Sequence, residues 1–145
     1  MSEECGFCRG DFAHEIVKQY SNWEVQLFED QKYLGRCLVK LERHVEDLNE
    51  LTEEERNEFF DKVLPELENA LDHLFQPDFY NQATLGNDCQ HFHFHIIPRY
   101  RDERSFEGET FEDENWGQHY VTSKTKKLDD ETMIELKREP EEALK

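Results

Sequence analysis

The sequence predicts an α+β domain built on a mainly antiparallel sheet. Three observations lead to that class: an alternating segment that begins at Trp23, a long amphipathic segment after Thr52, and further strand-like segments up to Pro98. A chain of 145 residues is the size of one ordinary domain. We therefore expect residues 1–145 to form a single domain in which strands, a helix and more strands follow one another.

The first two strands are expected to form an antiparallel hairpin. From Trp23 to Glu29, apolar and polar residues alternate, as in a strand with one buried face. A second apolar run extends from Arg36 to Leu41. The short segment between the two runs is predicted to be the turn.

The clearest helix begins at Thr52. Thr52 and Glu55 fit a capping box, in which a hydroxyl and a carboxylate three residues later satisfy exposed backbone N–H groups. Pro65 lies inside the helix and should bend or split it, because proline lacks the backbone donor and crowds the preceding turn. Apolar residues recur at helical spacing and predict one buried stripe: Phe60, Val63, Leu64, Leu67, Leu71, Leu74 and Phe75.

Two further strands are expected after this helix. Residues 79–85 have the composition of a strand, and residues 91–97 alternate histidine with apolar residues before Pro98 closes the run. Residues 101–125 show no regular pattern, and residues 129–144 are predicted to form a short acidic helix. The order of these elements again favours the α+β class.

The chain is strongly acidic. It holds 35 acidic and 17 basic residues, for a formal net charge of −18. This balance excludes a broad nucleic-acid surface, which needs a basic footprint. Any site for an anion must then depend on local donors.

The chain is expected to be cytoplasmic and free of membrane segments. No stretch approaches the roughly 20 apolar residues that span a bilayer, and the N-terminus lacks the basic and apolar regions of a secretory signal. In that compartment, cysteines are thiols or metal ligands more often than disulfides. This interpretation applies to all four cysteines: Cys5, Cys8, Cys37 and Cys89.

Three histidines alternate along the last predicted strand. His91, His93 and His95 should project from one face at intervals of ~6.6 Å. An incidental polar face, a three-histidine metal centre and nucleophilic catalysis by one histidine are the three interpretations. The outer pair would lie ~13 Å apart, too far to share one ion, which argues against the metal centre. A neutral imidazole attacks phosphorus near neutral pH without losing a proton, so catalysis is favoured.

The sequence resembles the histidine triad (HIT) superfamily. The run His91-Phe-His-Phe-His-Ile-Ile with Pro98-Arg99 is similar to the signature of that superfamily. The run Asn81-Gln-Ala-Thr-Leu-Gly-Asn87 is similar to the one that precedes the signature in a branch of bacterial-type members, which resemble diadenosine tetraphosphate hydrolases. The hairpin from Asp30 to Val45 and the pair Cys5 and Cys8 resemble the same branch.

The resemblance covers roughly residues 5–100. It implies a HIT-like fold with one long, Pro-bent helix and a short C-terminal helix. Residues 101–145 would be a variable extension that borders the substrate pocket or a dimer interface.

The resemblance also implies hydrolysis at the α-phosphate of a dinucleoside polyphosphate or a related nucleotide. His93 would be the nucleophile, and water would resolve the nucleotidyl-histidine to release a nucleoside monophosphate. His95 would contact the phosphate and help the leaving group depart, and the His91 carbonyl would fix the tautomer of His93. A nucleoside phosphoramidase and a nucleotide-binding module with little turnover remain alternatives.

The nucleotide-binding residues follow from the same resemblance. The side chains of Asn81 and Asn87, with backbone N–H groups of the turn Gly86-Asn87-Asp88-Cys89, would hold the phosphate. Asp30 would bind ribose hydroxyls, and its alternative is a turn carboxylate in solvent. Asp88 departs from the family pattern, and we expect its carboxylate to point outward, because it would otherwise repel phosphate.

A structural zinc ion is expected near the N-terminus. Cys5 and Cys8 form a two-ligand clip, and tetrahedral zinc needs two more ligands. The resemblance assigns these to His44 and His91, with Zn²⁺ playing no part in the chemistry. A reduced pair of thiols is the alternative. The family further implies a homodimer that pairs through the long helix or the sheet edge.

Overall fold

Five antiparallel strands form the main sheet in the computed structural model, which describes residues 5–11, 15–87 and 89–145. The order across this sheet is β1-β2-β3-β5-β4, so β5 lies inside it and β1 and β4 form its edges. The α+β class with a mainly antiparallel sheet is therefore confirmed. The strands are β1 (Ile16–Gln19), β2 (Trp23–Leu27), β3 (Cys37–Leu41), β4 (Phe79–Ala83) and β5 (His93–Arg99).

Leu67 and Leu71 of the long helix pack on one face of the sheet, and Phe7 of the N-terminal helix packs near His93 on the other face. No helix in the described ranges is both long and apolar enough to cross a bilayer. The α-helices are α1 (Gly6–Arg9), α2 (Glu53–Glu58), α3 (Leu64–Phe75) and α4 (Asp130–Ala143).

The predicted hairpin is formed by β2 and β3, with Val25 opposite Val39. The turn needs Gly35, because its φ is 86° and a Cβ there would lie 3.1 Å from Cδ2 of Phe75. The alternation in β2 predicts one exposed face, yet all five residues of the strand are buried. Both faces of the sheet are therefore covered at this strand.

The long helix contains a π-helical turn, Phe59–Val63, between α2 and α3. The capping box of Thr52 and Glu55 is present, as predicted. Pro65 offers no N–H for the usual ladder, and the turn before it widens instead of breaking the helix. The extra residue in this turn shifts the helical phase. Phe59 therefore stacks on Phe94 at 4.2 Å, whereas Phe60, predicted to be buried, is 56% exposed.

The strand of the alternating histidines begins and ends later than predicted. It runs from His93 to Arg99, and Pro98 lies inside it. The backbone N–H of Asp78 donates to the carbonyl of Arg99, so the backbone groups of Arg99 point toward β4. Because the backbone groups of successive strand residues point in opposite directions, the nitrogen of Pro98 points toward β3. The ladder with β3 ends at Ile96, and the missing donor therefore costs no ladder hydrogen bond.

The C-terminal part is more regular than its sequence suggests. The segment predicted to be irregular contains a hairpin of β6 (Arg104–Phe106) and β7 (Glu109–Phe111). The acidic C-terminal helix is α4, which is capped by Asp129 and buries Leu136. Strand β1 and helix α1 are additions that no sequence pattern indicated.

Candidate active site

Two of the three histidines share the face of the sheet opposite the long helix. Alternation along β5 places Phe94 and Ile96 in the helix-facing core and turns His93 and His95 to the other face. The rings of His93 and His95 lie 5.2 Å apart between centroids. His91 precedes the strand. The prediction that all three histidines project from one strand is therefore wrong for His91.

His93 is held in one tautomer by the backbone. Its Nδ1 lies 2.7 Å from the carbonyl oxygen of His91. A carbonyl oxygen only accepts, so Nδ1 carries the proton and Nε2 presents a lone pair. Burial lowers the pKa of His93, although the hydrogen bond to His91 opposes that shift. The side chain is thus a neutral imidazole whose Nε2 lone pair is bonded to none of the described residues.

His95 contacts a residue that the sequence did not indicate. Nη2 of Arg36 lies 3.0 Å from Nδ1 of His95, and the ring of Phe28 packs edge-on against His95 at 5.5 Å. Burial, the positive charge of Arg36 and the neighbouring His93 together lower the pKa of His95 to about 3. His95 is therefore neutral at physiological pH. The sequence signal that could have found this contact is the position of Arg36 immediately before β3, because Leu38 of β3 pairs with His95.

The ring of His91 lies in a second cluster, with Cys5, Cys8 and His44. The four ligand atoms all lie within 4.8 Å of one another. His91 Nδ1 is 3.4 Å from the Sγ of Cys5 and 3.0 Å from Nδ1 of His44, and the Sγ of Cys8 is 3.3 Å from the same His44 atom. Zinc–nitrogen and zinc–sulfur bonds at tetrahedral angles separate such ligands by about 3.5 Å. The donor set and its spacing therefore fit a tetrahedral metal ion.

The other ring nitrogen of His91 supports the same interpretation. Nε2 lies 2.5 Å from the carbonyl oxygen of Leu41, so Nε2 carries the proton and Nδ1 faces the cluster with its lone pair. Metal-bound imidazoles commonly donate their second N–H to a backbone carbonyl in this way. The four predicted metal ligands thus come together, and a cation can bind between them.

Most of the predicted phosphate-binding residues follow β4, whereas Asn81 lies inside this strand. Ala83 pairs with His95, so the segment after β4 starts beside the histidines. Gly86 has a φ of 66°, which favours glycine, and Asn87 is exposed while Cys89 is partly buried. Asp88 lies outside the described residues.

Asn81 has a fixed amide orientation. Its Oδ1 accepts a hydrogen bond from Nη1 of Arg99 at 2.8 Å. Arginine only donates, so the Nδ2 donors of Asn81 lie on the other side of the amide. Asn81 can therefore donate to an anion while Arg99 holds its oxygen.

Arg99 itself has no donor to spare for a ligand. Its Nε and Nη2 donate to both carboxylate oxygens of Asp113, at 2.7 and 3.0 Å. The remaining N–H groups reach Asn81, Gln118 and Asn115. Five hydrogen bonds match the five N–H groups of a guanidinium. Arg99 therefore fastens the segment after β7 to the sheet.

Asp30 is a buried side chain, so the interpretation as a turn carboxylate in solvent is wrong. Its Oδ1 accepts hydrogen bonds from the backbone N–H groups of Lys32 and Lys126. Asp30 also forms an isolated β-bridge with Lys127. It thus ties the hairpin turn to the C-terminal segment, and Oδ2 is the atom left for a ligand.

The fold and the histidine strand define the class of protein. A model described as the HIT domain matches residues 16–102, so the chain belongs to the HIT family. The curated protein called Protein hit, from Bacillus subtilis (strain 168), is 34% identical over an alignment of 111 positions that covers 68% of this chain and 73% of that protein.

Solved structures share the fold. A hypothetical histidine triad nucleotide-binding protein of Sulfolobus tokodaii strain7 is 21% identical, with a TM-score of 0.71, and 97% of this chain aligns with 91% of that one. A Zn-bound histidine triad family protein of Mycobacterium smegmatis is 20% identical, with a TM-score of 0.65 and coverage of 97% and 93%. The predicted HIT-like fold is therefore confirmed.

Proposed function

We propose that the protein is a nucleotide phosphohydrolase that acts at the α-phosphate of a dinucleoside polyphosphate or a related nucleotide. The observation that carries this proposal is the hydrogen bond from His93 Nδ1 to the carbonyl of His91. It leaves Nε2 of a neutral, buried imidazole as the nucleophile. The name of the Sulfolobus tokodaii structure, which includes nucleotide binding, supports the substrate class, and the curated relative supports the family.

The proposed reaction has two displacement steps. Nε2 of His93 attacks the α-phosphorus, and the bond from phosphorus to the bridging oxygen breaks with its electron pair on that oxygen. A water then attacks the phosphorus of the nucleotidyl-histidine and releases one proton to solvent, the P–N bond breaks, and Nε2 recovers its lone pair. The products are a nucleoside monophosphate and the remaining phosphate-containing fragment.

The other predicted residues would bind the nucleotide. Nδ2 of Asn81, the side chain of Asn87 and the backbone N–H groups of Gly86, Asn87 and Cys89 would donate to the phosphate. Oδ2 of Asp30 would accept from ribose hydroxyls, because Oδ1 is already occupied. Such neutral donors bind a phosphate without a basic surface, which suits a chain with a net charge of −18.

Zinc is the metal that we propose for the cluster of Cys5, Cys8, His44 and His91. Two thiolates and two imidazoles are a typical structural set for Zn²⁺. The Zn-bound relative from Mycobacterium smegmatis is consistent with this choice. The ion would supply no chemistry and would hold α1 against the histidine strand. Reduced thiolates of this kind persist in the cytoplasm, where we propose that the protein works.

We further propose a homodimer that forms through the edge strand β4. Phe79 of β4 is 63% exposed and Leu85 just beyond it is 59% exposed. An open strand edge with apolar residues pairs readily with an identical edge. Light scattering on the purified protein should give twice the chain mass, and Phe79→Lys should reduce it to one chain mass.

The experiment that tests the function uses two substrates. Purified protein is incubated with diadenosine tetraphosphate or with adenosine 5′-phosphoramidate, and AMP is measured. An adenylylated His93 should appear by mass spectrometry after rapid acid quenching. Absence of AMP from both substrates, with bound nucleotide still detected by calorimetry, would instead identify a binding module with little turnover.

A further inference from the structure

Arg36 is a buried cation without a carboxylate partner in the part of the chain that the structure describes. The residue is 4% exposed, and its Nε is buried with no hydrogen-bond partner. The guanidinium lies over the ring of Phe28 at 4.5 Å and near that of Tyr120 at 5.5 Å. Aromatic faces attract a cation but do not neutralise its charge. The positive charge of Arg36 is therefore available to an anion beside His95.

Arg36 differs in this respect from Arg99, the other buried arginine described above. Both guanidinium groups are buried, yet Arg99 forms a salt bridge with Asp113 at 2.7 Å and uses all its donors. Burial lowers the pKa of Arg36, and Asp30 opposes this shift from a distance, but no described carboxylate lies within ion-pairing distance of Arg36. A buried charge is normally paired or faces a ligand of opposite charge.

The contact with His95 also sets which proton that residue can offer. Arginine donates only, so Nη2–H of Arg36 donates to Nδ1 of His95. The proton of neutral His95 must then be on Nε2. A neutral imidazole N–H is a good hydrogen-bond donor and a very weak acid. His95 can therefore stabilise a departing oxyanion but has little ability to protonate a departing amine.

A polyphosphate leaving group and an amine leaving group differ in whether they need a proton to depart. A polyphosphate leaves as an anion when the electron pair of the broken P–O bond stays on the bridging oxygen, and no proton is required. An amine leaves from a phosphoramidate only when its nitrogen gains a proton as the P–N bond breaks. A cation and a neutral N–H donor favour the first case.

We infer that Arg36 is a specificity-determining residue that selects substrates whose leaving group is a phosphate anion over those whose leaving group is an amine. This inference rests on the proposed function and narrows it to the dinucleoside polyphosphate class or other nucleotides with a phosphoanhydride bond. Arg36 acts on the leaving group through its charge and through the tautomer of His95.

The test compares the two substrates in matched variants. The values of kcat/KM for diadenosine tetraphosphate and adenosine 5′-phosphoramidate are measured for the wild type, Arg36→Met and Arg36→Lys. Arg138→Met, the same change at an exposed arginine of α4, is the control. Wild type should prefer the tetraphosphate at least tenfold. A charge-assisted hydrogen bond corresponds to roughly a 10- to 100-fold loss for the tetraphosphate in Arg36→Met, and the phosphoramidate should change less than about threefold. Arg36→Lys should restore part of the loss.

A second measurement does not depend on turnover. Long-range ¹⁵N correlation spectra of the ligand-free protein should show His95 protonated at Nε2 in the wild type, with an altered tautomer ratio in Arg36→Met. Equal losses for both substrates, or wild-type His95 protonated at Nδ1, would overturn the inference while AMP release still supported the proposed function. Absence of AMP from both substrates would overturn the proposed function and this inference with it.

Discussion

The backbone carbonyl of His91 accepts the Nδ1–H of His93, while the ring of His91 lies among the sulfur and nitrogen atoms of Cys5, Cys8 and His44. One residue thus belongs to the metal cluster through its side chain and to the histidine pair through its main chain. The position of His93 therefore depends on how firmly His91 is held. This coupling leads to the first prediction.

Loss of the metal should reduce both stability and activity. Metal analysis of protein purified without added metal should give about one zinc ion per chain, and Cys8→Ser should abolish binding. We expect the melting temperature of this variant and its AMP release to fall together, because His91 loses its anchor. Cys89→Ser, a cysteine outside the cluster, is the control and should retain the zinc. Zinc retained in Cys8→Ser would contradict the assigned ligand set.

Replacement of the nucleophile should separate binding from chemistry. His93→Ala should lose AMP release by about three orders of magnitude or more, since the covalent path is removed. Nucleotide affinity measured by calorimetry should change far less. His73→Ala, at the exposed end of α3, should behave as the wild type. Turnover of His93→Ala near the wild-type rate would exclude His93 as the nucleophile.

The buried pair of Arg99 and Asp113 should be a major contributor to stability. Arg99→Met leaves the Asp113 carboxylate buried and unpaired, so the free energy of unfolding should fall by about 3–5 kcal/mol. Urea unfolding followed by tryptophan fluorescence measures this change. Arg101→Met, at an exposed arginine on the same segment, should cost less than about 0.5 kcal/mol. Similar midpoints for the two variants would show that the pair is not a stabilising link.

Stability should decrease in mild acid through His95. Its pKa is about 3 in the folded protein, against an ordinary value of 6.5, because of burial, Arg36 and His93. Between these values the unfolded chain binds a proton that folded His95 does not, so the free energy of unfolding falls as pH is lowered from 6.5.

The contribution of His95 to this pH dependence can be measured by comparing the wild type with a His95→Gln variant. His95 contributes a slope of up to about 1.4 kcal/mol per pH unit, which His95→Gln should remove. Urea midpoints for both proteins between about pH 6.5 and pH 4 measure the difference. Parallel pH profiles for the two proteins would show that His95 is not held neutral by its surroundings.

Local patterns accounted for the elements that depend on neighbours in the chain. The capping box at Thr52, the β2–β3 hairpin and the alternation of His93 and His95 were all predictable, because periodicity and capping involve residues a few positions apart. The exposure of Phe60 was not predictable, because a π-helical turn changes the phase of the helix by one residue. The inclusion of Pro98 in β5 was also not predictable, because such a prediction requires knowing where the pairing with β3 ends.

The sequence by itself determined the HIT resemblance, the histidines and the four residues of the metal cluster. The tertiary structure decided what surrounds them. Arg36 meets His95 across 59 positions of sequence, and Arg99 meets Asp113 across 14, because adjacent strands and one returning segment bring them together. Strand order and register are set by the burial of whole faces, not by local pattern. The physical difference between a cation that lacks a carboxylate partner and one that is fully paired therefore appears only in the folded protein.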